Sequence, residues 1–296
     1  MKAVFLMPAD ARGREKMEEE ISGAEGFGGC IEVGKSIMST PIKAFPVGRG
    51  RRVILLVGAH HGAEHITANL LYATAYTLLT ERGSVFGIDL ARLLESFCFF
   101  LLPMLNPDGV EIALHGPIPG PLEARQRAMC PDGDFTLWQA NARGVDLNHN
   151  YDAAFLEYKL IERREGILPG RTKYSGEYPE SEPESRCAAS LVRGLCPEAV
   201  VSLHTQGEEI FYSPGEGEGK ESCVRVAERL SQISGYRLSE PKGTAAYGGL
   251  CDYTGALGIP SYTFECGRGV NPMPISDIPR IFARIFPTLV SLPTLL

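Results

Sequence analysis

Apolar runs bounded by turn residues recur along the chain and predict strands at 2–7, 42–47, 52–58, 97–105, 198–204 and 261–266. Between them, apolar positions return at helical spacing over 64–81, 183–194, 222–233 and 276–286. Ser222 and Ser276 stand near two helix starts, and Pro287 predicts a stop for the last helix. Strands that alternate with helices predict an α/β fold, a central twisted sheet, largely parallel or mixed, with helices on both faces. The stretch from about 114 to 182 breaks this rhythm. It is rich in Gly, Pro, Asp and Arg, and it reads as a long excursion over one edge of the sheet. No internal repeat appears, and Gly215-Glu216-Gly217-Glu218-Gly219 reads as a short loop.

Composition narrows the class. The 296 residues are 44% hydrophobic and 22% charged, an ordinary globular balance, and the length suits one domain over 1–296. A formal net charge of −7, with no basic stripe to neutralise phosphates, argues against a nucleic-acid partner. Arg49-Gly50-Arg51-Arg52 and Arg163-Arg164 read as solvated surface. Pro8 and Asp10 cut the amino-terminal apolar run short of a secretory core, and the run from Phe97 to Asn106 is far below the roughly 20 residues that span a bilayer. These features predict a cytoplasmic protein with no membrane partner. The 8 cysteines include no CxxC pair and read as reduced thiols; Cys266, next to Glu265, reads as packing.

The chemistry gathers at predicted strand ends, where ligand sites of open α/β sheets lie. The strand over 52–58 runs into Ala59-His60-His61-Gly62-Ala63-Glu64-His65. His61 and Glu64, three apart across a glycine-containing turn, can converge on one cation; His60–Glu64 and His61–His65, four apart, are alternative helical pairs. A second strand ends at His204 and a third at Glu265. Two imidazoles and a carboxylate suit a catalytic zinc with a position open for water. Glu265 beside such a site could take and return a proton, or could instead pair with Arg268.

Five blocks carry a resemblance: His61-Gly62-Ala63-Glu64-His65-Ile66-Thr67; Pro103-Met104-Leu105-Asn106-Pro107-Asp108-Gly109-Val110; Ala140-Asn141-Ala142-Arg143-Gly144-Val145-Asp146-Leu147-Asn148; Ser181-Glu182-Pro183-Glu184-Ser185; and His204-Thr205-Gln206-Gly207-Glu208-Glu209-Ile210. In this order, over about residues 32–267, the chain resembles the zinc carboxypeptidase family, and within it the bacterial γ-D-glutamyl-diamino acid peptidases. The resemblance implies a zinc carboxypeptidase-like domain, and the chain itself shows no evident separate wall-binding domain. It implies one Zn2+ per chain on His61, Glu64 and His204, with Glu265 as the general base. It also implies that Arg143 polarises the scissile carbonyl; a loop arginine paired with Asp146 or Glu111 is the alternative.

Asn148 matches the family's carboxylate-binding Asn-Arg pair, but His149 stands where the arginine would be. Histidine offers no two-pronged fork, so recognition of a free C-terminus is weakened and endopeptidase action gains weight; His149 could equally be a plain loop residue. Thr244 falls at the position of the tyrosine that closes over substrate in digestive members. Tyr247 then lines the pocket, and Asp252 either contacts an amine of the substrate or caps a helix. The implied activity is zinc-dependent hydrolysis of the amide between γ-D-glutamate and meso-diaminopimelate or a related diamino acid in small peptidoglycan peptides, by a water activated at zinc. A general metallocarboxypeptidase or N-acyl amino acid deacylase is the alternative, followed by a non-catalytic zinc- or peptide-binding relative.

Overall fold

The computed structural model describes residues 1–213, 220–240 and 247–296. Among them, ten strands run in order: β1 (Ile31–Lys35), β2 (Pro41–Val47), β3 (Arg52–Val57), β4 (Ser84–Val85), β5 (Ile88–Asp89), β6 (Phe97–Leu102), β7 (Ala199–His204), β8 (Glu209–Ser213), β9 (Arg237–Leu238) and β10 (Ser261–Glu265). β4 and β5 form a separate hairpin, and the other eight make one sheet in the order β1-β2-β6-β3-β7-β10-β8-β9. The central β6, β3, β7 and β10 are parallel; β1, β2 and β8 join antiparallel. The sheet is mixed, as expected, and its parallel centre brings four carboxyl ends to one edge.

Helices cover both faces, which is why β3 and β6 are apolar without alternation. Ile54, Leu56, Phe99, Leu101, Val201 and Leu203 pack with α2 (Ile66–Thr80), α8 (Lys220–Ser234) and α10 (Ile278–Ser291). On the other face, Leu55, Val57, Phe100, Leu102 and Val200 meet α7 (Pro183–Leu195) and α9 (Leu250–Ala256). A smaller cluster joins α4 (Pro107–His115) to Cys130, Phe135, Trp138, Ala140 and Ala142. The remaining helices are α1 (Ala11–Ser22), α3 (Leu90–Ser96), α5 (Glu123–Met129) and α6 (Phe155–Glu165). No helix among the described residues is long and apolar enough to cross a membrane.

Three expectations change. The segment expected as a strand over 2–7 contains a 3-10 turn at Ala3–Phe5, because Asn69 on α2 takes the Phe5 and Met7 carbonyls and holds the chain against the helix. Pro287 does not stop α10. Ile285, Phe286, Leu289 and Val290 are buried and carry the helix past it, while the Thr288 and Ser291 hydroxyls donate to the Arg284 and Pro287 carbonyls. The excursion holds α5 and α6 and does not keep to an edge, since Leu147, Tyr151 and Ala153 pack on the sheet face with Leu55 and Val57. All eight cysteines are free; Cys266 is buried in the main core, whereas Cys30 and Cys196 are exposed.

Candidate metal centre and active site

β3, β7 and β10 deliver the site. β3 ends at Val57 and passes through Gly58 and Ala59 to His60 and His61. The chain then closes into a 3-10 turn at Gly62–Glu64, pinned when Gly62 N and Ala63 N donate to the Gln139 and Trp138 carbonyls. A Cβ on Gly62 would collide with the Gly109 backbone, so glycine is required at this approach. Thr67 locks the turn from behind, its hydroxyl donating to Glu64 O and accepting from Ala59 N. Asn106 ties the turn to the excursion: Nδ2 donates to the His60 and Ala140 carbonyls, and Oδ1 caps α4 through Gly109 N.

His61, Glu64 and His204 converge. Their ligand atoms all lie within 4.8 Å of one another. His61 Nδ1 is 3.0 Å from Glu64 Oε1, and His204 Nδ1 is 3.0 Å from Glu64 Oε2. Glu64 and His204 are buried and His61 is partly exposed. Burial by itself would raise the Glu64 carboxyl, but the two imidazoles outweigh it and hold it at about 2. The donor set fits zinc: two imidazole nitrogens and one carboxylate, presented on the same side. His60, the alternative partner, points elsewhere. It is fully buried between Tyr151 Oη (3.0 Å) and Ser202 Oγ (3.2 Å), and its ring stacks on that of His204. His65 is buried without a partner for Nδ1 among the described residues.

Asp146 supplies what the sequence did not single out. Its Oδ1 lies 3.0 Å from His61 Nε2, and its Oδ2 accepts from Lys173 N at 2.8 Å. A carboxylate on the far nitrogen of a ligand histidine fixes the ring and raises its basicity. The signal was present in the Gly144-Val145-Asp146-Leu147-Asn148 block, but nothing local links Asp146 to His61 in a chain 85 residues apart.

Glu265 lies directly across the β7–β10 ladder from His204. Its carboxyl has no hydrogen-bond or ion-pair partner among the described residues; Arg268, the proposed alternative partner, reaches Glu208 instead. Burial, with the Glu64 charge next, pushes the Glu265 carboxyl well above its ordinary range. A proton-hungry carboxylate beside three ligand groups is suited to proton transfer.

Arg143 is not paired with Asp146 or Glu111. Its Nη2 is 2.9 Å from Glu182 Oε2, its Nε donates to the same oxygen at 3.0 Å, and Ser181 O completes the hold. With Arg125, Tyr174, Glu177 and Glu182 it lines a cavity of about 150 Å³. Asn148, His149, Tyr247 and Asp252 assemble at the start of α9, where Leu250 N donates to Asn148 Oδ1 (3.2 Å) and Gly249 N to Asp252 Oδ2 (3.0 Å). Asp252 is therefore a helix cap, whatever else it does. His149 is buried at the end of the 3-10 turn Leu147–His149. Thr244 lies outside the described residues.

The family model described as zinc carboxypeptidase matches residues 26–282. Gamma-D-glutamyl-L-diamino acid endopeptidase 1 of Lysinibacillus sphaericus is 32% identical over 259 residues, which cover 84% of this chain and 63% of that protein. The chain thus spans less than two thirds of that relative's length. Two solved structures share the fold at low identity. Thrombin activatable fibrinolysis inhibitor has a TM-score of 0.77 and 19% identity, covering 99% of this chain and 75% of that one. Murein-tripeptide amidase MpaA from Escherichia coli O157 has a TM-score of 0.57 and 20% identity, covering 92% and 94%. With a match over most of its length and a His-Glu-His group at the strand ends, the chain belongs to the zinc carboxypeptidase family.

Proposed function

We propose that the protein is a zinc metallopeptidase that hydrolyses the amide between γ-D-glutamate and a diamino acid such as meso-diaminopimelate in peptidoglycan-derived peptides. The observation that carries the proposal is the convergence of His61, Glu64 and His204 beside Glu265, which has no partner among the described residues, in a chain 32% identical to a protein named for that bond. When bound, zinc would polarise a carbonyl and make water a stronger acid. Glu265 then receives the proton of the attacking water and returns it to the leaving amine. Asp146 keeps the His61 ring turned so that Nδ1 stays with Glu64. Arg143 is the donor for the substrate carbonyl oxygen as negative charge develops on it; Glu182 fixes the guanidinium through Nε and Nη2 and leaves Nη1 for the substrate.

The test is mass spectrometry of zinc-loaded protein given L-Ala-γ-D-Glu-meso-diaminopimelate and its α-linked isomer. Release of diaminopimelate from the γ-linked peptide is expected. Cleavage of the α-linked isomer alone would replace this reading with that of a general carboxypeptidase.

A further inference from the structure

We infer that the cavity lined by Arg125 and Arg143 binds a carboxylate carried by the substrate, and that Arg125 is the residue that selects for it. The inference rests on the proposed peptidase reading and deepens it, because it concerns a second charged group that the substrate brings. A γ-linked glutamate keeps its α-carboxylate free, and diaminopimelate has a carboxylate at its far end. The recognition chemistry is the same for both, and the experiment separates them.

Arg143, which the proposed mechanism sets on the carbonyl oxygen of the bond to be cut, is itself a wall of this cavity. Val145, another wall, precedes Asp146, and the carbonyl of Tyr174 accepts from Asp146 N at 2.7 Å. Asp146 in turn lies on the ligand histidine His61. The cavity thus adjoins the metal centre through a single residue. Its volume of about 150 Å³ admits an arm of roughly six non-hydrogen atoms, the size of a benzene ring.

The groups left free in the cavity are donors. Arg125 has no hydrogen-bond or ion-pair partner among the described residues, and neither has the Tyr174 hydroxyl. Both oxygens of the buried Glu182 are already engaged, Oε2 by Arg143 and Asn141 and Oε1 by the Ser181 hydroxyl. Two acids close to Arg125 in sequence are taken as well, Glu123 by Arg127 and Asp132 by Arg171, each at 2.9 Å. Glu177 stands exposed at the rim, where water solvates its charge, so it offsets the cations less than a buried acid would. Burial pushes the Tyr174 hydroxyl above its ordinary range, and it therefore keeps its hydrogen. A carboxylate only accepts, so it satisfies both the guanidinium and the phenol. A carboxamide in its place loses the charge, and an ammonium brings donors to donors.

The walls are fixed without substrate. Gln126, buried next to Arg125, donates Nε2 to Ala142 O at 3.2 Å and accepts from Ile118 N at 2.8 Å, which anchors α5. Asn150 Nδ2 holds the loop that carries Tyr174 and Glu177, through Ser175 O at 2.6 Å and Ser181 Oγ at 2.9 Å. Gly176 in that loop has a φ of +89°, and a Cβ there would come within 2.4 Å of Ser181 Oγ.

The experiment measures kcat/KM on zinc-loaded wild type, Arg125→Gln and Arg125→Lys. The substrates are L-Ala-γ-D-Glu-meso-diaminopimelate, its glutamyl α-carboxamide, and the same peptide with lysine in place of diaminopimelate. α-Linked peptides with glutamate or glutamine on either side of the bond run beside them. The wild type is expected to lose about 10-fold or more on one of the two changes to the γ-linked peptide, and that change identifies the carboxylate that is held. Arg125→Gln is expected to lose the preference through KM at an unchanged melting temperature, and Arg125→Lys to regain part of it. A folded Arg125→Gln that keeps the wild-type ratios overturns the inference, and so does a wild type indifferent to both changes. If only α-linked peptides are cut, the proposed function alone fails, and the glutamate-to-glutamine ratios decide the inference in the same way. A zinc-loaded chain that cuts neither kind overturns both.

Discussion

In the proposed mechanism Glu265 and Asp146 do different work on the same centre, and substitution separates them. Glu265→Gln keeps the shape and the ladder position beside His204 but removes the proton acceptor. Activity is expected to fall by about 10²–10⁴ with zinc content unchanged by metal analysis. Asp146→Asn leaves Glu265 in place but weakens the hold on His61, so zinc affinity is expected to fall about 10–100-fold in a chelator competition. Equal zinc affinity in that variant would show that the Asp146–His61 contact is incidental. The His61-Glu64-His204 group was legible in the sequence because His204 ends one buried apolar strand and the turn that carries His61 and Glu64 follows another. Asp146 and His60 were not, since their partners lie far along the chain and only packing brings them together. The pairing of Arg143 with Glu182 was missed for the same reason.

Buried elements announced themselves and half-exposed ones did not. β3 and β6 stand as continuous apolar runs because helices cover both faces, whereas Ser261, Thr263 and Glu265 interrupt β10. β1 and β8 are mostly accessible along their length and lack that signature, and β9 has only two residues. α4 was hidden within a block read for its motif, although Asn106 and Pro107 form its capped start. α7 carries a pH-dependent link: Glu184 accepts from Ile37 N at 3.0 Å and from Asn141 Nδ2 at 3.3 Å, joining the helix to two loops. Burial, reinforced by Asp108 and Glu182 against the backbone donors, pushes its carboxyl from 4.5 up to about 8. The folded chain keeps this proton to higher pH than the unfolded chain does. The stability it contributes is thus complete below 4.5 and is lost as pH rises toward about 8. Glu184→Gln is expected to flatten the fall in melting temperature across that window; a decline as steep as that of the wild type would remove Glu184 as its source. Gly62→Ala, which forces a side chain into the Gly109 backbone, is expected to lower both melting temperature and zinc affinity.

At the scale of the molecule, one mixed sheet carries His204 and Glu265 at the ends of adjacent parallel strands and launches the His61 turn from a third. The binding of zinc couples that edge to the stability of the whole fold, because a ligand that binds only the folded chain raises its melting temperature. Chelation is expected to lower the melting temperature of zinc-loaded protein and readdition of zinc to restore it. The most direct test of the metal centre is zinc K-edge X-ray absorption of the purified, zinc-loaded wild type. Two imidazole nitrogens and carboxylate oxygen at about 2.0–2.2 Å, with no sulfur ligand, are expected. Sulfur coordination, or a shell that lacks imidazole, would contradict this ligand set.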